Sequence, residues 1–365
     1  MLLAVGLFGL WNRGAEYREL QSEQHDLLEV QAAAVESNLS QLLLGLGAGL
    51  RGVRADLPQW SAAEAAPAAS LRLKALSDAI PGVQSMLLLA ADGRVLAASR
   101  PGLVGLELGS REDFKQVQSQ SQSQSQSQAQ AQTQSQTQAQ AQAQARSAAA
   151  RLWLSAPFVN EAGSFSMHIT VAVMVADGAA DGAADGAFGG AISTTQEPAY
   201  LQKLLHATLY APGVWAALAH GDGGVPIIEP RMERVIGTNV DKPGSMFRRH
   251  RDAGGASTVL TGRVTATGDV RVIAQRTVQP AALNLDKPII VAVSRSQDAM
   301  LAPWWRQTLA SLLLYTLLCV ASSAALIAMQ RRQSTMLRLE QQREATARQS
   351  AERLELALRG ADLAL

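Results

Sequence analysis

Hydrophobic residues follow two different periods along this chain, and each period predicts its own kind of element. From Asn12 to about Asp56, Leu20, Leu27, Val30, Ala34, Leu39, Leu42 and Leu46 recur at helical spacing with polar residues between them. That pattern predicts one long amphipathic helix. Pro58 and the Ala/Pro stretch to Pro67 end it, and a second helix is expected over about Ala68 to Ala79. The period then shortens to two. Ser85 to Ala90 and Val95 to Ser99 are apolar runs separated by Ala91-Asp92-Gly93-Arg94, a hairpin signal because Gly accepts positive φ at little cost. Arg111 to Val117 starts a helix, and Leu152 to Phe158 is a strand. After a turn at Asn160 to Gly163, Phe165 to Val175 reads as a long strand. Phe165, Met167, Ile169, Val171, Val173 and Val175 share one face of it, and Ser166, His168 and Thr170 the other. Phe188 to Thr194 is the next strand and Pro198 to Leu209 a helix.

The second half repeats the theme. Val214 to His220 and Val225 to Ile228 flank a turn at Gly221 to Gly224. Ser257 to Thr265 and Val270 to Val278 form a hairpin across Ala266 to Asp269, and Pro288 to Ser294 is a last strand. Two similar α+β modules in series is the economical architecture.

A third pattern has no period. Leu309 to Met329 carries no charge over 21 residues, enough at about 1.5 Å per residue to cross the hydrocarbon core of a lipid bilayer. Trp304 and Trp305 precede it, where indoles prefer the headgroup layer. Arg331, Arg332, Arg338 and Arg343 follow it, against Arg306 alone before it. The positive-inside rule therefore puts the C-terminal side in the cytoplasm and residues before 304 outside. Met1 to Trp11 is apolar but only about half a span long, without a basic start or a cleavage signal. It reads as the remnant of a first transmembrane helix whose start lies further upstream.

Ser119 to Ala145 alternates Gln with Ser, Ala or Thr, and Asp177 to Ala187 repeats Asp-Gly-Ala-Ala. Neither has an apolar face, so both are expected to be low-complexity inserts, the first disordered. Composition narrows the function. Net charge is +1, from 32 basic and 31 acidic side chains, which excludes the concentrated basic patch of a nucleic-acid binder. The single cysteine, Cys319, lies in the membrane segment, so no intrachain disulfide or Cys-based zinc site can form. The five histidines do not cluster at ligand spacing, and no metal or cofactor is expected. There is no Walker-type phosphate loop, H-E-x-x-H or G-x-S-x-G, and no cyclase or kinase core, so no catalysis is expected from these residues.

In this order the motifs resemble a known family. The hairpin at Asp92-Gly93, the run Gly105-x-x-x-Gly109-Ser110-Arg111-x-x-Phe114, the strand Leu154-Ser155-Ala156-Pro157, the strand from Phe165, and Tyr200-Leu201-x-x-Leu204-Leu205 resemble double Cache (PDC) sensors of bacterial receptors. These are extracytoplasmic relatives of PAS domains. Where the family usually has Asp-Arg-x-Tyr-Phe, Ser110 replaces the Asp and Asp113 the Tyr. Gly237-Thr238-Asn239 after Asp222-Gly223 looks like the matching feature of a second module. Leu354 to Leu365 resembles the opening helix of a cytoplasmic PAS domain.

The resemblance implies an α+β fold: two PAS-like antiparallel-sheet modules on a long N-terminal helix, then a transmembrane helix and a cytoplasmic helix. The expected segments are a helix and connector at 12–67, a membrane-distal module at 68–207, a membrane-proximal module at 208–303, the span at 309–329, a signalling helix at 330–353 and a PAS start at 354–365. The distal module would bind a small molecule, such as an amino or organic acid, at Arg111, Asp113, Trp153, Ser155 and His168. Arg111 would pair a ligand carboxylate through its planar fork, or else brace its own turn. The implied protein is a homodimeric receptor of the bacterial inner membrane with a periplasmic sensor. Its output would be a diguanylate cyclase or histidine kinase beyond residue 365. A chemoreceptor, or a structural membrane protein assembling through its Gln-rich tract, is the alternative.

Overall fold

A computed structural model describes residues 2–57, 65–132, 151–159, 165–174 and 188–362. Within it, residues 21–300 form one unit, and residues 1–20 with 301–365 form another. The chain opens with α1 (Leu2–Asp56) and α2 (Ala65–Ala79), followed by the hairpin of β1 (Val83–Ala90) and β2 (Val95–Ala98). Helix α3 (Glu112–Gln132) precedes β3 (Leu152–Leu154), the short pair β4 (Phe158–Val159) and β5 (Phe165–Ser166), and then β6 (His168–Met174) and β7 (Phe188–Gln196). Helix α4 (Pro198–His206) leads to β8 (Val214–His220), β9 (Ile227–Glu229), α5 (Met246–Ala253), β10 (Ser257–Arg263), β11 (Val270–Val278) and β12 (Ile289–Ser296). Helix α6 (Gln297–Asp362) closes the described chain.

The strands form two five-stranded antiparallel sheets, β2-β1-β7-β6-β3 and β10-β11-β12-β8-β9. Counted within its own module, each sheet has the order 2-1-5-4-3, so the two are copies of one topology. The hydrogen bonds after the first strand repeat as well. Leu108 N donates to Gly93 O and Val95 N to Leu106 O, while Val240 N donates to Gly223 O and Val225 N to Thr238 O. Gly93 and Gly223 have φ of +86° and +91°, which only glycine adopts at little cost. The expected α+β fold of two PAS-like modules on a long helix is what the structure has.

Each sheet lays one face on α1. Leu28, Ala32, Val35, Leu39, Leu42, Leu46, Leu50 and Val53 form a buried row along the helix. It meets Met86, Leu88, Ile169, Val171 and Ile192 of the first sheet, and Ala216, Leu218, Val272, Ala274, Val291 and Val293 of the second, in one continuous core. Arg276 pairs with Glu36 and, at 3.7 Å, with Glu29, and Arg295 donates to Gln24. The helix is as expected, but its buried face is rotated in the first half. Val30 is 63 % exposed and Ala34 also faces solvent, while Leu28, Ala32 and Val35 are buried.

Three other expectations change. Helix α3 runs through Gln132, so the first part of the Gln-rich tract is helical rather than disordered. Gln is a good helix former though Ser is only a middling one, and α3 is already nucleated over Glu112–Val117 by packing of Phe114 and Val117. The rest of that tract, and Asp177 to Ala187, lie outside the described residues. The strand read as Leu152 to Phe158 breaks at Ser155, whose hydroxyl accepts from His168 N at 2.8 Å. Finally, α5 was not anticipated, although Ser245 caps its N-terminus and Gly254 its C-terminus.

In the other unit, α6 contains one segment long and apolar enough to cross a membrane. Leu313, Leu314, Leu317 and Val320 are all more than 60 % exposed, an all-round apolar surface that water would not tolerate. Arg13 donates to Ser311 Oγ at 2.8 Å and the Tyr17 ring meets Trp304 edge-on at 5.5 Å, so the beginning of α1 packs along this helix.

Candidate ligand site on the outer face of the first sheet

The face of the first sheet that turns away from α1 carries Ser85, Leu87 and Leu89 on β1, Ser193 and Thr195 on β7, His168 and Thr170 on β6, and Trp153 on β3. Strand pairing aligns them in rows: Leu87, Ser193, Thr170 and Trp153 form one, and Thr195 and His168 belong to the next. A polar strip thus crosses an otherwise apolar face. Thr170 and Ser193 share a hydrogen bond of 2.9 Å. Ser85 donates to Thr195 Oγ1 at 3.3 Å, and Thr195 Oγ1 lies 3.1 Å from His168 Nδ1. The Nδ1 of His168 thus ends a chain of hydroxyls, while its Nε2 is buried without a partner among the described residues.

The cover comes from the segment before α3. Residues 105–108 run beside the β1–β2 hairpin, and a Cβ on Gly109 would collide with Asp92 O. That close approach fixes where Arg111 leaves the turn. Arg111 donates from Nε and Nη2 to both carboxylate oxygens of Asp113, at 3.0 and 2.7 Å. Its guanidinium also stands 5.5 Å from the centre of the Phe158 ring. Phe158 in turn stacks on His168, with ring centres 4.2 Å apart and planes 9° from parallel. Arg111, Phe158 and His168 therefore form a column closing one side of the strip. Behind it lies a cavity of about 10 Å³ lined by Arg111, Asp113, Phe114, Leu87, Leu89, Leu108, Thr170 and Ser193. That is room for about one water.

Of the residues singled out from the sequence, Arg111 and Asp113 line this cavity and His168 joins them through Phe158. Arg111's fork is filled by Asp113, which braces the turn. Ser155 serves the backbone, accepting from His168 N and donating to Ala156 O at 3.0 Å. Trp153 is buried in the apolar cluster with Ala172 and Phe188, with Arg151 4.9 Å over its ring. Phe158, Ser193 and Thr195 were missed. Ser193 and Thr195 alternate with Ile192 and Thr194 and were legible from that period, whereas the Phe158 stack joins residues ten apart across a turn.

Strand β3 is also held from the second module. Leu154 N donates to Asp286 Oδ1 at 2.7 Å, Asp286 N donates to Leu152 O at 3.0 Å, and His220 Nε2 lies 3.4 Å from Leu154 O. Burial raises the Asp286 carboxyl, and burial lowers the His220 imidazole.

No protein-family model matches this chain, and no curated protein matches it in sequence. Solved structures do. The extracellular domain of a protein described as histidine kinase rpHK1S-Z16 superposes with a TM-score of 0.57 at 18% identity, covering 78% of this chain and 98% of its own. The periplasmic sensory domain of the Campylobacter jejuni chemoreceptor Tlp1 gives 0.57 at 10% identity, covering 78% and 99%. The extracellular domain of a second protein described as a histidine kinase, mmHK1S-Z3, gives 0.52 at 14%, covering 78% and 97%. The fold is the one these extracellular and periplasmic domains have, in keeping with the resemblance to double Cache sensors. Within this pair of modules, the Arg111 column lies on the face of the first sheet turned away from α1.

Burial, with the nearby Arg111 charge second, lowers the His168 pKa from 6.5 to about 3. Burial also lowers His250. An unfolded imidazole takes up a proton near pH 6.5 while folded His168 stays neutral, so its contribution is complete above pH 6.5 and is lost progressively toward pH 3. Urea unfolding at pH 7, 6 and 5 should show His168→Gln losing less stability per pH unit than wild type. The expected difference approaches 1.4 kcal/mol per unit, roughly one proton's worth. Equal slopes would refute a neutral, buried His168.

Proposed function

We propose that this chain is the sensing portion of a bacterial inner-membrane receptor, with residues 21–300 in the periplasm and the arginine-rich end of α6 in the cytoplasm. A small carboxylate-bearing ligand enters the distal module on the polar strip, displacing Phe158 from His168 and engaging Arg111. The observation that carries this reading is the column itself: a guanidinium, an aromatic lid and a neutral histidine with an unpaired Nε2, set over hydroxyls on an otherwise apolar face. Such a place is costly to bury and useful only when something pairs with it.

Asp113 sets the ligand class. A zwitterionic amino acid satisfies both members of the Arg111–Asp113 pair, whereas an organic acid competes with Asp113 for the same fork. The ligand shifts the receptor only by its differential affinity for two arrangements of the modules. Strand β3, held by Asp286 and His220, connects the site to the second module, and α1 and α6 lead on to the membrane segment. Histidine kinase and chemoreceptor sensors share this fold, and the PAS-like sequence from Leu354 favours a kinase or diguanylate cyclase output.

Thermal-shift screening of the full chain in nanodiscs against amino and organic acids should find saturable stabilisation that Arg111→Ala weakens about 10- to 100-fold, the worth of a charge-assisted contact. Asp113→Asn should weaken amino acids and strengthen organic acids. Hits indifferent to both substitutions would place the site elsewhere. For topology, a green fluorescent protein fused after Met336 should fluoresce in cells and alkaline phosphatase fused there should stay inactive. An active phosphatase would invert the orientation.

A further inference from the structure

The second module has a cavity at the position that the Arg111 site occupies in the first. Strand pairing and the repeated hairpin bonds align the modules residue by residue. Gly223 stands for Gly93 and Val240 for Leu108. Counting back from the turns, Ala217 and Ala219 stand for Leu87 and Leu89. Ala292, paired with Ala217, stands for Ser193, and Gln275 stands for Thr170. Ala217, Ala219, Val240, Gln275 and Ala292 line the second cavity, as Leu87, Leu89, Leu108, Thr170 and Ser193 line the first.

The contents differ. Where leucines 87 and 89 fill the first module to leave about 10 Å³, alanines 217 and 219 leave about 70 Å³. Ala292 lies on the central strand of its sheet and is still partly accessible. No charged residue lines this cavity, and Met246 and Phe247 of α5 cover it where Arg111 and Phe114 cover the other. A void of this size costs stability when it is empty, and two of its lining residues, Trp215 and Gln275, carry buried polar atoms with no partner among the described residues. The Met246 side chain is flexible enough to enlarge it.

We propose that the second module holds a separate binding site for a small, uncharged, largely hydrocarbon molecule, seated on Ala217, Ala219 and Ala292 beneath Met246 and Phe247. It is independent of the carboxylate site, because no charged group lines it and the Arg111 cluster belongs to the other sheet. On the scale where about 10–15 Å³ admits one water, its 70 Å³ has room for about five heavy atoms, so short-chain ketones, alcohols or thioethers are the fitting class.

The test is methyl NMR on the full chain in nanodiscs, labelled at Met and Ala methyls, with xenon, butanone and butyrate as probes. Xenon and butanone should shift Met246 and Ala292 saturably, and butyrate at equal concentration should bind at least tenfold more weakly. Ala217→Leu, which copies the first module, should abolish the shifts, and Ala219→Val serves if that variant does not fold. Arg111→Ala should leave them unchanged. Xenon binding without butanone binding would mean a packing void only and overturn the proposal. So would butyrate binding as well as butanone, no saturable shift at all, or shifts retained in a folded, filled variant.

Discussion

One row of apolar side chains on α1, from Leu28 to Val53, is the floor on which both sheets rest. A helix of this length in water depends on tertiary packing more than on propensity, and here two sheets supply it. Each sheet buries one face on that row, with Ala69 and Leu73 of α2 and Leu201 and Leu205 of α4 completing the same core. Arg276 and Arg295 hold the second sheet in register with Glu36, Glu29 and Gln24. The two modules are therefore mechanically one object. A change of spacing under either sheet is a change along α1, and α1 is continuous down to Leu2.

The free faces are where the modules diverge. Both present the same rows to a covering segment, because both have strand order 2-1-5-4-3 and the same glycine-dependent turn. In the first, leucines fill the floor and polarity is brought in by Thr170, Ser193, His168 and the Arg111–Asp113 pair. In the second, alanines open the floor and no charged residue lines it among the described residues. Duplication of a backbone thus yields two chemically unlike cavities, since a sheet face is defined by every second residue and each can be changed without disturbing the core side.

Much of this was readable from the residues, for physical reasons. Strands β8 and β11 have the boundaries their alternation predicts, and His168 and Thr170 fall on the face opposite Ile169 and Val171. The helical period located α1 but not its buried face, because Leu27, Leu28, Val30 and Ala32 offer two stripes and only the partner sheet chooses between them. Helix α5 is short and mostly charged, so its caps at Ser245 and Gly254 were its only signal. At the site, Arg111 was visible as a motif residue, yet its engagement by Asp113 two positions on depends on a turn shaped by Gly109 against Asp92. The Phe158–His168 stack needed the break after Leu154, which Pro157 signals without saying where the chain goes next.

Native-state hydrogen exchange on the full chain tests the shared floor most directly. Leu39 sits mid-row on α1, fully in the common core, and Leu39→Ala should cost about 2–5 kcal/mol. If α1 makes the modules one cooperative unit, the slowest amides of β7 and of β12 lose protection by the same amount. Loss confined to one sheet, with the other unchanged, would contradict the account.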